Sequence, residues 1–171
     1  VARYNGNDAS PVWSFIDGNS TNGVNYSTAQ GAATPRLHSF QDRLYATWAE
    51  SIGGVINRIR VAVWDGLSTW SFVDGAGAYG LAKSTSAATS ANNPVPVTHD
   101  GDFYLAWVET NSSAVDQARV ARFNPVSKSW ELVDGDNRET GLNKNSARSV
   151  GNGNGMALLS TPWGLVSGWQ E

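Results

Sequence analysis

The sequence predicts an all-β fold built from three copies of one four-stranded unit. Three sequence markers return in a fixed order along the 171 residues, at intervals of 57 to 62 residues. Eight Trp and 18 Gly accompany a single Met, a composition that suits short strands joined by turns. Internal repetition of this kind is typical of proteins that stack one supersecondary unit many times.

The first marker is a Trp followed four residues later by an Asp-Gly pair. It covers residues 13–18, 70–75 and 130–135. A further glycine, trailed by an aliphatic residue, comes next in each copy, at Gly23, Gly80 and Gly141. A calcium loop needs acids or other oxygen ligands at alternating positions, and acids are not maintained after the three aspartates. We therefore expect Asp17, Asp74 and Asp134 to close turns or strand ends.

The second and third markers read as strands. The second alternates between two faces, is rich in β-formers, and ends in Trp-x-Glu, over residues 44–50, 103–109 and 165–171. The third covers residues 61–64, with matches at 1–4 and 120–123. Asp65-Gly66 and Asp100-Gly101 stand where hairpins need a residue with positive φ.

One unit thus comprises strands at about 35–41, 43–50, 57–65 and 69–74, followed by a long loop rich in Gly, Ser, Asn and Ala. Four antiparallel strands and a crossover to the next copy form the blade of a β-propeller. The repeats cover approximately 1–60, 61–119 and 120–171. A sandwich is the structural alternative, although sandwiches do not usually repeat their sequence.

The two ends of the chain belong to one unit. The chain opens on a third strand at 1–4 and closes on a second strand at 165–171, which predicts one blade split between the termini. Propeller rings hold 4–8 blades, more than three. The sequence therefore predicts either half of a dimeric six-bladed ring or a fragment of a longer propeller. Because Val1 is not an initiator Met, we expect a chain that is processed or excised from something longer.

Charge and composition exclude several functions. A net charge of −3 provides no basic field for a nucleic-acid backbone. No apolar run approaches the ~18–20 residues that insertion into a bilayer requires. The absence of cysteine removes thiol catalysis and cysteine-based zinc sites. His38 and His99 occupy different repeat positions, and no His/Asp/Glu spacing indicates zinc. We predict no metal, no cofactor and no catalytic residue.

Candidate ligand-binding residues lie in the second and third markers. A Trp near a Glu offers an indole face to a pyranose and a carboxylate to its hydroxyls, and core packing between blades is the alternative. An Arg ten residues after each Glu predicts either a recognition pair for sugar hydroxyls or a cross-strand ion pair. The predicted binding residues are Trp48, Glu50, Arg60, Trp64, Trp107, Glu109, Arg119, Trp169 and Glu171.

The loops between units, at roughly 18–34, 75–93 and 135–153, are a second candidate region. Loops beyond ~12–15 residues without structure of their own are uncommon unless functional. Polar residues flank the shared glycine, at Asn22, Asn25, Lys83, Asn143 and Lys144. These loops either line shallow sites between blades or cover the face of the propeller as flat crossovers.

Residues 58–70 resemble two known propeller repeats. Trp64-Asp65-Gly66 followed by Trp70 is similar to the blades of six-bladed fucose-binding lectins, some of which assemble from short chains. Asp65-Gly66 with Thr69-Trp70 is similar to the Asp-box hairpin of sialidase-like propellers. The lectins carry a Glu before this hairpin, where the present chain has Arg60, Val61 and Val63, and the Asp-box separates its Asp from its Gly. The resemblance implies a propeller and a sugar ligand, and it transfers no site residue.

Residues repeated in every unit favour several like sites, and weak sites on one ring gain avidity on a decorated surface. We therefore predict a non-enzymatic, lectin-like carbohydrate-binding or adhesion module, with glycans as partners and an extracellular or cell-surface location. One alternative is a structural or protein-interaction scaffold within a larger surface protein. Another is a glycosidase-like propeller, which would need paired carboxylates ~5–10 Å apart.

Overall fold

The computed structural model describes residues 1–18, 23–54, 56–75, 77–82, 89–135, 140–151 and 155–171. All regular structure in these residues is β-strand, arranged in antiparallel sheets. The twelve strands are β1 (Ala2–Tyr4), β2 (Trp13–Phe15), β3 (Ala32–Phe40), β4 (Arg43–Ile52), β5 (Ile56–Trp64), β6 (Trp70–Phe72), β7 (Ala91–His99), β8 (Asp102–Thr110), β9 (Asp116–Asn124), β10 (Ser129–Leu132), β11 (Ala157–Thr161) and β12 (Gly164–Gly168).

The first four-stranded sheet has the order β3-β4-β5-β6, so each strand pairs with its neighbour in sequence. Its strands begin and end within three residues of those predicted from the alternating pattern, which confirms the four-stranded unit. The middle of β4 and β5 is buried on both faces. On both faces of these strands the side chains must therefore be apolar or paired with other groups of the chain, which explains why the strands expose few charges.

The second four-stranded sheet, β7 to β10, repeats the first in detail. Trp48 faces Arg60 across β4 and β5, and Trp107 faces Arg119 across β8 and β9. Both first strands carry a register shift at the same place, between Ala33 and Arg36 in β3 and between Asn92 and Val95 in β7. The two sheets thus repeat the strand register as well as the sequence, including the register shift in the first strand.

Two shorter sheets occupy the ends of the chain, β1-β2 and β11-β12. By sequence marker, β1 and β2 correspond to the third and fourth strands of a unit, and β11 and β12 to the first and second. In the sheets formed by the described residues, β1 and β12 each pair with one strand. Together the two short sheets contain the strands of one more unit.

The core lies between successive sheets. The first strands β3, β7 and β11 lie next to one another, and the largest apolar cluster joins the two four-stranded sheets. Phe103 is central to it and has edge contacts with Tyr45, Phe123 and Trp130 at ring distances of 5.1, 6.1 and 5.2 Å. Aromatic side chains from both sheets therefore fill the layer between them.

Candidate ligand-binding clefts

The Trp-x-Glu marker attaches the preceding loop to the sheet in the first and last copies. Trp48 Nε1 donates to Glu50 Oε2 at 2.8 Å. The backbone N–H groups of Tyr26 and Ser27 donate to the same carboxylate at 2.9 and 2.6 Å. Glu50 is 1% exposed and accepts hydrogen bonds from these three donors, so its carboxylate orders the loop that leads into β3.

The hydrogen bond from Trp to Glu recurs in the other two copies. Trp107 Nε1 donates to Glu109 Oε2 at 2.9 Å, and Trp107 is fully buried. Trp169 Nε1 donates to Glu171 Oε1 at 3.3 Å, and the backbone N–H of Asn145 donates to both Glu171 oxygens. Trp169 is half-buried and Glu171 exposed. The burial of Trp48 and Trp107 agrees with the core-packing interpretation of these indoles.

The arginines of the third strand form buried pairs with the aspartates of the first marker. Arg60 Nη1 lies 3.4 Å from Asp74 Oδ2, and both side chains are 1% exposed. Arg60 also donates to the carbonyls of Gly77 and Ala78, while the N–H of Val61 donates to Asp74. Burial raises the pKa of Asp74, and the charge of Arg60 acts in the opposite direction.

The same pair recurs one unit later between Arg119 and Asp134, also at 3.4 Å. The N–H of Val120 donates to Asp134 as that of Val61 does to Asp74. These two aspartates therefore tie the end of the fourth strand to the third strand, as expected for a strand-end role. The half-buried Asp17 instead lines a cleft.

The predicted Glu–Arg pairs do not face each other across the hairpin. Glu50 opposes Arg58, and Arg60 opposes Trp48, because the turn between β4 and β5 sets a register two residues away from the one that a ten-residue spacing suggested. Glu50 and Arg60 do share the wall of a small pocket of about 220 Å³. There the Arg60 guanidinium lies 4.0 Å from the centre of the Tyr26 ring.

Two larger clefts occur at equivalent positions at the boundaries between successive sheets. The first has a volume of about 340 Å³ and lies beside β6, and the second has a volume of about 500 Å³ and lies beside β10. The first is lined by Asp17, Gly18, Gly23, Val24, Asn25, Ser68, Thr69, Trp70 and Phe72. The second is lined by Leu81, Ala82, Trp107, Ala121, Trp130, Glu131 and Leu132.

The two clefts share four repeat-equivalent pairs of residues, three of them apolar in both clefts and the fourth formed by Asn25 and Ala82. A fourth-strand indole, Trp70 or Trp130, forms one wall, and the aliphatic residue after the shared glycine, Val24 or Leu81, forms another. Phe72 and Leu132 complete the apolar part. Because the same repeat positions form both clefts, the cleft is a feature of the repeated unit.

The same hydrogen bond orients both indoles. Trp70 Nε1 donates to the carbonyl of Ile16, and Trp130 Nε1 donates to the carbonyl of Val73 at 2.8 Å. Each acceptor carbonyl belongs to the residue that directly follows the fourth strand of the preceding sheet. The hydrogen bond therefore fixes the Nε1 edge of the indole to that sheet, while the rest of the indole lines the cleft. The predicted site residue Trp64 stacks on Trp70 with ring centres 6.5 Å apart.

The clefts combine an aromatic and aliphatic wall with groups that form hydrogen bonds. Asp17, Asn25 and Thr69 line the first, and Glu131 lines the second. An apolar surface with a few placed acceptors and donors is typical of sites for small polar ligands. The repetition of Trp70 and Trp130 in the first marker was the sequence signal for these clefts. The predicted site residues include Trp107, which lines the second cleft, but neither Trp70 nor Trp130.

The flanking loop residues have separate positions. Asn25 lines the first cleft and donates to the carbonyl of Gln30. Asn143 donates to the carbonyls of Asp116 and Arg148 and so shapes its own loop, and Lys144 is exposed. Asn22 and Lys83 lie outside the described residues.

No set of three or more His, Asp or Glu side chains within the described ranges is placed to hold a metal ion. The same part of the chain contains no helix with the length and apolar character needed to cross a membrane. No protein-family model, curated protein or solved structure matches this chain.

Proposed function

We propose that this chain is a β-propeller module that binds carbohydrate, without catalysis, in clefts repeated between its sheets. The observation that carries the proposal is the recurrence of the fourth-strand Trp cleft at two equivalent boundaries. An enzyme of a repeat fold usually breaks the symmetry of its units to build one site. Two like clefts instead favour several weak sites that act together on a ligand of repeated structure.

The propeller arrangement is supported by three features of the sheets. Each complete sheet is a four-stranded antiparallel meander. The first strands β3, β7 and β11 lie side by side, as the innermost strands of blades do around a central axis. The layer between the two complete sheets is filled by aromatic side chains from both, as the packing of one blade on the next requires.

A saccharide fits the chemistry of the clefts better than an apolar or a strongly charged ligand. One face of a pyranose ring is a patch of C–H groups, which packs on an indole such as Trp70 or Trp130. Its hydroxyls need acceptors and donors at the rim, which Asp17, Asn25 and Thr69 provide in the first cleft. Glycans and polysaccharides are displayed outside cells, and we place the module at a cell surface or in the extracellular space.

Glycan arrays and polysaccharide columns, followed by calorimetry on the best ligand, test the proposal. We expect Trp70→Leu and Trp130→Leu each to weaken binding by roughly 2- to 12-fold, because loss of an aromatic contact costs about 0.5–1.5 kcal/mol. Trp163→Leu is the matched control, since Trp163 is 91% exposed in a turn away from both clefts. Thermal unfolding of all three variants checks that the fold persists.

Two results would contradict carbohydrate binding at these clefts. One is the absence of binding to any glycan by the folded protein. The other is a glycan affinity that Trp70→Leu and Trp130→Leu leave equal to that of Trp163→Leu.

One observation favours a scaffold within a larger surface protein as the second candidate function. The polar groups of the Trp-x-Glu marker and of the Arg–Asp pairs are bound to other parts of the chain. These markers therefore repeat for structural reasons. A chain that folds with intact clefts and binds no glycan would support this second function.

A further inference from the structure

In the sheets of the described ranges, β12 and β1 each have one edge without a paired strand, and they carry the sequences of strands that are neighbours in both complete sheets. In the first sheet, Tyr45 faces Val63 and Ala46 faces Ala62. In the second, Tyr104 faces Arg122 and Leu105 faces Ala121. Both registers, carried to the terminal strands through the repeat, set Val166 opposite Arg3 and Ser167 opposite Ala2. Two independent sheets thus give one register for the pairing of β12 with β1.

Side chains that are covered in the complete sheets are exposed in the terminal ones. Val166 is 51% exposed, whereas its counterpart Tyr45 is 4% exposed. Trp13 is 64% exposed, whereas its counterparts Trp70 and Trp130 are half-buried. Apolar side chains that are exposed only in the two terminal sheets indicate surfaces that another structure covers.

Some of the repeat-equivalent residues of a third cleft are present near the end of the chain, and one is not. Val24 packs in one apolar group with Trp48 and Trp70. Leu142 packs with Trp169 in the equivalent group, and the fourth-strand indole of that unit does not occur among the described residues of the group. By the repeat, the indole belongs to a strand equivalent to β2, which holds Trp13.

We propose that a second copy of this chain supplies those strands, with β12 of each copy paired antiparallel to β1 of the other. Two such pairings relate the copies by closed symmetry and give a ring of six four-stranded sheets, within the 4–8 that propellers hold. Trp13 of the second copy then lies beside Leu142, where its Nε1 donates to the carbonyl of Val133, the counterpart of Ile16 and Val73. The third cleft of each chain is completed only by the other copy.

This proposal rests on the propeller arrangement and not on the identity of the ligand. A second copy is the occupant that the register supports, because β1 has the third-strand sequence and is available on every molecule. A third strand supplied by further repeats of a longer parent would share the register but would leave the 171-residue chain as a monomer.

Light scattering and engineered disulfides test the pairing on the chain as it is. We expect a solution mass of twice 18.2 kDa. Because the chain has no cysteine, Ala2→Cys and Ser167→Cys variants can be prepared singly, mixed and oxidised without background pairing. The mixture should give a disulfide-linked dimer through residues 2 and 167, identified by mass spectrometry of the non-reduced peptides, while each variant alone should give little.

The matched control is Leu165→Cys mixed with Ala2→Cys, since residue 165 lies on the same face two positions away. Facing Cβ atoms are about 4.5–5.5 Å apart and diagonal ones about 7–8 Å, so we expect at least several-fold less cross-linking. A mass of one chain, or equal cross-linking of the two mixtures, would overturn the proposal. A monomer that binds glycan would contradict the pairing but not the carbohydrate proposal. A dimer that binds no glycan would contradict only the carbohydrate proposal.

Discussion

Asp74 is a carboxylate taken out of water and paired with an arginine that is equally buried. Removing two charges from solvent costs several kcal/mol each, which their attraction offsets only if the remaining hydrogen-bonding groups also find partners. Here the N–H of Val61 serves the Asp74 carboxylate, and the carbonyls of Gly77 and Ala78 serve the two Nη atoms of Arg60, while Nε of Arg60 has no partner among the described residues. The pair therefore fixes where the fourth strand ends relative to the third, and its loss leaves one buried charge without compensation.

The variant Asp74→Asn tests this role. We expect it to lower the free energy of unfolding by about 3–5 kcal/mol, because Arg60 keeps its charge and loses the opposite one. Asp17→Asn is the matched control at the equivalent position of the first marker, and we expect a change within about 0.5 kcal/mol. Urea unfolding monitored by Trp fluorescence measures both. Equal unfolding midpoints for the two variants would show that the pair does not stabilise the fold.

In both four-stranded sheets, the loop after the fourth strand approaches the third strand of the same sheet at the shared glycine. The N–H of Leu81 donates to the carbonyl of Ile59 at 2.9 Å, and that of Leu142 donates to the carbonyl of Ala118 at 2.9 Å. A Cβ at Gly80 would lie 2.3 Å from the Ile59 oxygen, and one at Gly141 would lie 2.1 Å from the Ala118 oxygen. The close contact with the backbone, in addition to the turn geometry, explains why these positions hold glycine.

We accordingly expect Gly80→Ala to cost about 2–4 kcal/mol of stability. The estimate combines the cost of a left-handed conformation with that of overpacking against backbone. Gly23→Ala is the control, because Gly23 has a similar positive φ of 63° and no atom within 4 Å of an added Cβ. Its cost should stay near 1 kcal/mol. Chemical unfolding of both variants distinguishes steric contact from conformational strain, and equal losses would contradict the contact.

The strands and their order were predictable from sequence, because period-two alternation and turn residues are local signals that each copy repeats. The clefts were predictable only in part: the loops between units were a candidate region, and Val24 and Asn25 of the first loop line a cleft, but the indole that lines it was not identified. Trp48 and Trp70 recur equally well, and the sequence could not tell which indole is buried, since burial depends on how the next sheet is placed. Likewise the ten-residue spacing of Glu50 and Arg60 suggested a register two residues away from the observed one, so the true partner of Arg60, Asp74, was assigned only to a strand end.

Across the whole molecule, polar bonds between first strands connect one sheet to the next. His38 on β3 lies 2.8 Å from the hydroxyl of Thr98 on β7, and His99 on β7 lies 3.0 Å from the hydroxyl of Ser160 on β11. His38 also stacks on Phe103 at 4.9 Å between ring centres. The packing of successive sheets thus includes an ionisable group in a partly apolar layer.

Burial lowers the pKa of His38, so protonation is less favourable in the folded chain than in the unfolded one, where it occurs near pH 6.5. The unfolded state then binds more protons below that pH, and the contribution of His38 to stability is present above pH 6.5 and lost as the pH falls through the folded pKa. The raised pKa of Asp74 has the opposite effect on the pH dependence of stability. Because Asp74 is present in both the wild type and His38→Gln, this effect is the same in the two proteins being compared. We expect the wild type to lose more stability than His38→Gln between pH 7.5 and 5, measured as the difference of their thermal midpoints at each pH. Midpoints that fall in parallel would mean that protonation of His38 does not loosen the packing of β3 on β7.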